Sequence, residues 1–398
     1  MLISSFDVQN YKGFREKQTV KFTPLTLLYG ENSSGKSALL RLLPWISESM
    51  ADDRPGPILD GVVGREALWS DLAHISTSTR PIEITVEWAT SHKATWSFRG
   101  GVLPGSCELK KITLEAQKKV WELEDDGDGK WQGRIDGVKG LLPCDRIDVW
   151  HQAISSERCN FALNVQWLQA IRVAIPRVEK GLASPPGRLA SNGDGVARFL
   201  YHWTRNGSTD SEKLANAFVL DFFHQLKFEL SVPDVAPSFF RLDVAPLGIS
   251  SPSINLIDTG EGLTQVLAPL VAMARAAYNL GPRVVCIEQP ELHLHTDAQR
   301  ALARSIAKAI SAGAQIIIET HSEVLLAAIQ LAIATRPAQI SAEKVSLYWV
   351  ERRGELGSMA KRVEFDERGR ISGGWPIDAF DDLLQLKGEL LQAQRSAQ

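Results

Sequence analysis

Cysteine is scarce in this chain. The four present among 398 residues, Cys107, Cys144, Cys159 and Cys286, are scattered and form no CxxC pair. That excludes a disulfide-stapled fold or a cysteine-built metal knot and points to a reducing compartment, the cytoplasm. An excess of one charge is also lacking: 44 Lys and Arg stand against 47 Asp and Glu, a formal net of −3. No chain-wide basic field exists to recruit nucleic acid, so DNA contact would need a local patch, and no Lys/Arg stripe with interleaved aromatics stands out. Long apolar runs are missing as well. The stretches around 263–274 and 324–334 are too short for a membrane span or carry a nearby charge, and "MLISSFDVQNYKGF" is not a signal peptide. No membrane partner is expected. Internal repeats, low-complexity tracts and sustained heptads are absent too.

The chain does carry patterned apolar residues. Hydrophobic content of 44% with 23% charged residues is the balance of a globular protein with a sizeable core. "ISSFDVQNY" and "QTVKF" read as paired strands. "LTLLYG" reads as a buried strand, and "SALLRLL" as a helix up to Pro44. Residues 80–150 alternate polar and apolar around Gly/Asp turns, the pattern of antiparallel hairpins, with "DDGDG" (125–129) as a hairpin turn. "EKGLASPPGRLASNGDG" (179–195) reads as a long loop or boundary. "SEKLANAFVLDFFHQL" is expected as a helix with Leu214, Phe218 and Phe222 on one face. From about 283 to 350 strands alternate with helices: "RVVCI", "TDAQRALARSIAKAI", "AQIIIET", "EVLLAAIQLAIA", "KVSLYWV". Such alternation argues a layered α/β core. "DDLLQLKGELLQAQ" closes the chain as a polar-rich helix.

Four segments carry chemistry. "GENSSGKS", Gly30–Ser37, matches G-x-x-x-x-G-K-[ST] between a strand and a helix. Gly30 and Gly35 let the backbone of Glu31, Asn32, Ser33 and Ser34 curl its N–H groups inward, and the helix start through Ala38 adds partial positive charge. Lys36 is expected on the β- and γ-phosphates of ATP and the Ser37 hydroxyl on Mg²⁺. Glu288 ends "RVVCI", and a carboxylate at the end of an adjacent strand would hold that ion. His321 in "ETHSE" follows another buried strand, where it can donate to a γ-phosphate oxygen. In "DTGEGLTQ", Gly260, Glu261 and Gly262 make a glycine turn at a helix start, followed by Gln265. Such a turn is a second anion site. Since the P-loop already serves its own subunit, this one points to phosphate contact in trans, across a dimer.

Together these segments resemble the ABC-type ATPases, and more narrowly the head domains of SMC proteins, RecF and the ATPase half of OLD-family nucleases. They look most like the short bacterial AAA ATPase relatives of that group that carry no nuclease domain. There, an F-x-x-(F/Y)-K-x-F strand precedes the P-loop, as Phe6, Tyr11 and Phe14 do here, and a tail like "GRISGGWPIDAFDDLLQL" ends the chain. The resemblance covers about residues 1–50 and 180–390. It implies an α/β fold: an ABC-ATPase-like P-loop core, a mixed sheet flanked by helices, with an antiparallel β-hairpin subdomain and a helical insertion. It implies that Gly30–Ser37 binds nucleotide phosphates, that Glu288 holds Mg²⁺, that residues 260–265 cap the partner's γ-phosphate, and that His321 is the switch histidine. Departures are visible. "TGEGLTQ" stands for L-S-G-G-Q, His295 stands at the D-loop aspartate, and only Asp71 or His74 is at hand for the Q-loop role.

Gln289 occupies the general-base position, and an amide cannot accept a proton from water at neutral pH. It can still orient water, and Glu291, three residues after Glu288, can supply a carboxylate. The expected protein is a slow ATPase that works as a homodimer or higher oligomer. It would regulate a partner effector, a nuclease or toxin, in bacterial anti-phage defence or DNA maintenance. The alternative is a nucleotide-locked scaffold or DNA-binding SMC-like protein with negligible turnover. After "KVSLYWVERR" 398 − 353 = 45 residues remain, too few for an appended nuclease domain. Four parts are expected: 1–80, the N-terminal ATPase segment with the P-loop; 81–165, the β-hairpin subdomain; 166–250, a helical and loop insertion; 251–398, the C-terminal ATPase segment.

Overall fold

A computed structural model describes residues 2–52, 54–116, 119–125, 131–132, 138–143, 161–182, 184, 187–205, 207–248, 251–335 and 340–373. The "DDGDG" turn beyond Asp125, the C-terminal helix and the tail past residue 373 lie outside the described residues.

Among the described residues, two seven-stranded sheets enclose one long helix. The first is antiparallel. It runs in the order Gln18–Lys21, Ile3–Gln9, Ile82–Trp88, Lys93–Gly100, Cys107–Ala116, Lys119–Asp125, Trp131–Gln132. The N-terminal pair and the hairpins therefore share one sheet, and the division expected at residue 80 runs through it: Phe6 faces Val20 on one side and Val86 on the other. Alternation explains the burial. Ile82, Ile84, Val86 and Trp88 are buried while Glu83 and Glu87 are exposed.

The second sheet is mixed, as the sequence implies. Val165–Leu168, Val284–Glu288, Gln315–Glu319, Leu25–Gly30 and Val345–Arg352 lie parallel in that order, and Ser358–Phe365 and Ile371–Ser372 continue antiparallel. The central strands are apolar without alternation because both faces are covered. Cys286, Ile317 and Leu28 pack toward the inner helix and the antiparallel sheet; Val285, Ile287, Ile316, Ile318 and Leu27 pack toward the outer helices.

The inner helix, Lys36–Ala51, runs through Pro44 rather than stopping there. Proline removes one backbone hydrogen bond at a cost of about 3 kcal/mol. Leu39, Leu40, Leu42, Leu43, Trp45 and Ile46, all buried between the sheets, outweigh it. The outer layer holds Asp210–Gln225, Leu267–Ala277, Thr296–Ser311 and Glu323–Ala334. On the first of these the buried stripe is Ala215, Phe218, Val219, Phe222 and Phe223; Leu214, expected inward, is 51% exposed. Among its described residues the insertion holds two helices, Val196–Trp203 and Asp210–Gln225, and strand segments of two small three-stranded sheets.

Candidate functional site

The site forms at the carboxyl rim of the mixed sheet, where crossover helices leave backbone ends free. The strand Leu25–Gly30 delivers the chain to the loop and Gly35 starts the helix at φ 109°. Both glycines are required. A Cβ at Gly30 would lie 2.0 Å from the Val350 carbonyl oxygen, and one at Gly35 would lie 2.8 Å from the Phe14 ring. Phe14 thus acts as a floor under the loop.

Lys36 is buried. Its Nζ donates to the carbonyl of Gly30 at 2.9 Å and to that of Glu31. Burial lowers its pKa, against the pull of Glu319 and Glu31. Asn32, Lys36 and Ser37 line a cleft of about 560 Å³ together with Lys12, Gln289, Glu319 and His321. The P-loop, the residue after Glu288 and the "ETH" segment therefore meet in one place. Lys12, the lysine of the F-x-x-(F/Y)-K-x-F pattern, is a basic group to which the sequence attaches no role. It sits in the tight turn between Tyr11 and Phe14 at φ 50°, and its pKa is lowered by burial and then by Arg41.

Glu288 departs from expectation. Its strand is not adjacent to the P-loop strand, because Gln315–Glu319 lies between them. Its carboxylate is turned to Arg41, at 2.6 Å and 2.7 Å, and it also accepts from the Trp167 indole at 3.0 Å. Glu319 ends the intervening strand, in register with Glu288 and Leu28. The Ser37 hydroxyl donates to Glu319 Oε1 at 2.7 Å, while Oε2 is buried with no hydrogen-bond partner. Burial pushes the Glu319 carboxyl pKa up.

Gln289 has φ 42°, and its backbone N–H donates to the Glu319 carbonyl at 2.8 Å. Glu291 lies behind the rim. Its Oε1 accepts from the His321 backbone N–H at 3.1 Å, and burial raises its pKa. The His321 pKa is lowered, first by burial and then by Lys36. A buried Arg172 ties the rim together, donating to the carbonyls of Glu288 at 2.7 Å and Gln289 at 3.3 Å. Its pKa is pushed down to about 10 by burial.

The "GEG" segment lies elsewhere. Gly260, Glu261 and Gly262 line a groove of about 1030 Å³ with His293 and His295, and this groove shares no lining residue with the P-loop cleft. Gln265 lines neither; its amide donates to the Arg172 carbonyl at 3.0 Å. Asp71 caps the short helix Trp69–Leu72 by accepting from Leu68 N–H, and the His74 side chain accepts from Ser76 N–H. Neither residue lines the cleft. Among the described residues, "HLH" (293–295) included, no group of three or more His, Cys, Asp or Glu could hold a metal ion by itself. No helix among them is long and apolar enough to cross a membrane.

Comparison with known proteins gives two family matches. Residues 1–136 match the AAA ATPase domain family. Residues 222–327 match an AAA domain family whose description names the AbiEii toxin of a type IV toxin–antitoxin system. The curated Old nuclease of Escherichia phage P2 is 23% identical over 349 residues, 82% of this chain. The match spans 57% of the phage protein's length. Among solved structures, the SMC head domain from Thermotoga maritima aligns at 12% identity and TM-score 0.45, over 92% of this chain and 100% of that one. The Smc head domain bound to the C-terminal domain of ScpA from Pyrococcus furiosus aligns at 12% identity and TM-score 0.49, over 99% of each.

Proposed function

We propose that this chain, marked by its two matched families and its phage relative as an ABC-type ATPase of the SMC- and OLD-like group, binds ATP in the Lys36 cleft and hydrolyses it slowly as a homodimer. One observation carries the reading: Lys36, Ser37, Gln289, Glu319 and His321 line a single cleft. The loop's N–H groups and helix start would take the phosphates, Lys36 and Lys12 would neutralise their charge, and His321 would donate to the γ-phosphate. Magnesium fits this rim, where the Ser37 hydroxyl meets a buried carboxylate with an unpaired oxygen. When bound, such an ion draws charge off the phosphates.

Water would be oriented by the Gln289 amide, which takes no proton. Glu291, one turn behind, is the carboxylate at hand. Losing general-base help costs about 10²–10⁴ in rate, so turnover is slow. Dimerisation is supported by the separate groove around Gly260–Gly262: a second copy would present it to the phosphates. By resemblance to the Old nuclease and to the AbiEii toxin family, opening and closing would govern a nuclease or toxin effector, in phage defence or DNA maintenance. Gln289 favours a second reading, a nucleotide-locked scaffold. A steady-state phosphate-release assay with Lys36→Ala as blank separates them: turnover above blank supports the ATPase, and none supports the scaffold.

A further inference from the structure

Gln289 stands at φ 42°, a left-handed backbone that a residue with a side chain keeps only where its surroundings hold it there. The hold is on the peptide planes that flank its Cα. The plane before it is gripped at both ends: the Gln289 N–H donates to the Glu319 carbonyl at 2.8 Å, and the Glu288 carbonyl accepts from Arg172 Nη2 at 2.7 Å. In the plane after it, the Gln289 carbonyl accepts from the same Nη2 at 3.3 Å and from the Leu292 N–H at 3.2 Å. Peptide units are rigid, so fixing both planes fixes φ, ψ and the direction in which the Gln289 side chain leaves the backbone. Glu288 itself keeps its place through strand pairing with Glu319.

Arg172 is 4% exposed, and every acceptor it has among the described residues is a backbone carbonyl. Its Nε is buried with no hydrogen-bond partner among them. A guanidinium buried in this way, with no carboxylate accepting from it, is costly, and packing alone asks only for an apolar stem. The planar fork adds what no apolar residue can: it reaches two segments at once. Nη1 donates to the Gln265 carbonyl at 3.4 Å, and the Gln265 amide returns to the Arg172 carbonyl at 3.0 Å. Gln265 ends the helix Glu261–Gln265, whose first residues line the groove.

We infer that Arg172 is a positioning residue for hydrolysis: it holds Gln289 in its left-handed turn with the amide toward the attacking water, and through Gln265 it ties that turn to the helix at the groove. This rests on the ATPase reading above. Arg172 does not line the cleft, so its loss frees the Gln289 dihedrals without removing a phosphate contact.

The test compares full-chain wild type, Arg172→Met, Gln289→Ala and the double variant in single-turnover hydrolysis at saturating ATP and magnesium. Affinity for a non-hydrolysable ATP analogue is measured alongside. Methionine keeps an apolar stem and removes the donors. Arg172→Met is expected to slow hydrolysis about 10- to 100-fold with analogue affinity unchanged, the scale of misplacing a reacting group by about an ångström. Added to Gln289→Ala, it is expected to slow hydrolysis by no more than about twofold further, because the side chain it positions is already gone. Arg172→Lys keeps the charge without the fork; it is expected to lose about tenfold and carries the test if Arg172→Met does not fold. Wild-type rates in the Arg172 variants, analogue affinity that falls in step with the rate, or losses that multiply in the double variant overturn the inference and leave the ATPase reading standing. Wild-type protein with no turnover overturns that reading, and the inference with it.

Discussion

Arg41 grips Glu288 with two prongs, Nε to Oε1 at 2.6 Å and Nη2 to Oε2 at 2.7 Å, and the acid's side chain is only 4% exposed. A pair of this kind adds little net stability when intact, yet breaking one side is expensive because the other charge stays buried. Arg41→Ala is expected to lower the unfolding free energy by about 3–5 kcal/mol. Adding Glu288→Gln to it should recover a large part, since the amide needs no counter-charge. Urea denaturation of the single and double variants measures this; strictly additive losses would mean the pair is not coupled.

On the proposed reading, Gln289 sets the rate of hydrolysis. Its backbone is pinned by the Glu319 carbonyl at 2.8 Å, so replacing its side chain leaves its position intact. Gln289→Glu restores a proton acceptor at the same place. Turnover is expected to rise at least about tenfold, toward the 10²–10⁴ that a general base supplies. Glu291→Gln is expected to lower turnover. If neither variant changes the single-turnover rate, the roles assigned to both residues are wrong.

The groove at Gly262 is the expected dimer face. A Cβ there would lie 2.5 Å from the His293 carbonyl oxygen, so Gly262→Ala pushes the "GEG" turn away from "HLH". Association driven by an ATP analogue is expected to weaken about tenfold or more, the scale of a central interface residue. Nucleotide binding by the monomer should persist, because the P-loop cleft is lined by other residues. Light scattering with and without analogue reads the outcome; undiminished association would place the dimer face elsewhere.

Burial raises the Glu291 carboxyl above its ordinary value of 4.5. The folded state then holds a proton that the unfolded chain has released, so stability falls as pH rises from about 4.5 through the raised value. Glu291→Gln removes this contribution. Its unfolding temperature, scanned without nucleotide or metal, is expected to decline less steeply with pH over that window than the wild type's. An identical slope would contradict the burial argument.

How far the sequence discloses this molecule depends on how local each feature is. The phosphate loop is contiguous, and its glycines, lysine and serine do their work within eight residues, so the motif alone marks it. The buried strands "RVVCI" and "QIIIET" are equally plain from their apolar runs. Their order is not, because a parallel crossover leaves the neighbour to tertiary packing. Hence the sequence offers Glu288 for the ion but does not show that the intervening strand brings Glu319 within 2.7 Å of the Ser37 hydroxyl. Arg41 gives no warning in "SALLRLL", where it looks like a solvated helix residue; only the register of the Glu288 and Trp167 strands brings it a carboxylate. Lys12 is the lysine of the F-x-x-(F/Y)-K-x-F pattern, but only the tight turn that aims it at the cleft gives it a role there.

The most direct test of the account is equilibrium binding of a fluorescent ATP analogue with magnesium to wild type and Lys36→Ala. Lys36 lines the cleft with its ammonium at the mouth of the loop. Saturable binding by the wild type that weakens about 100-fold or more in the variant is the predicted result, the scale of a lost charge-assisted contact to phosphate. Equal affinity in the two proteins, or no binding by the wild type, would contradict it.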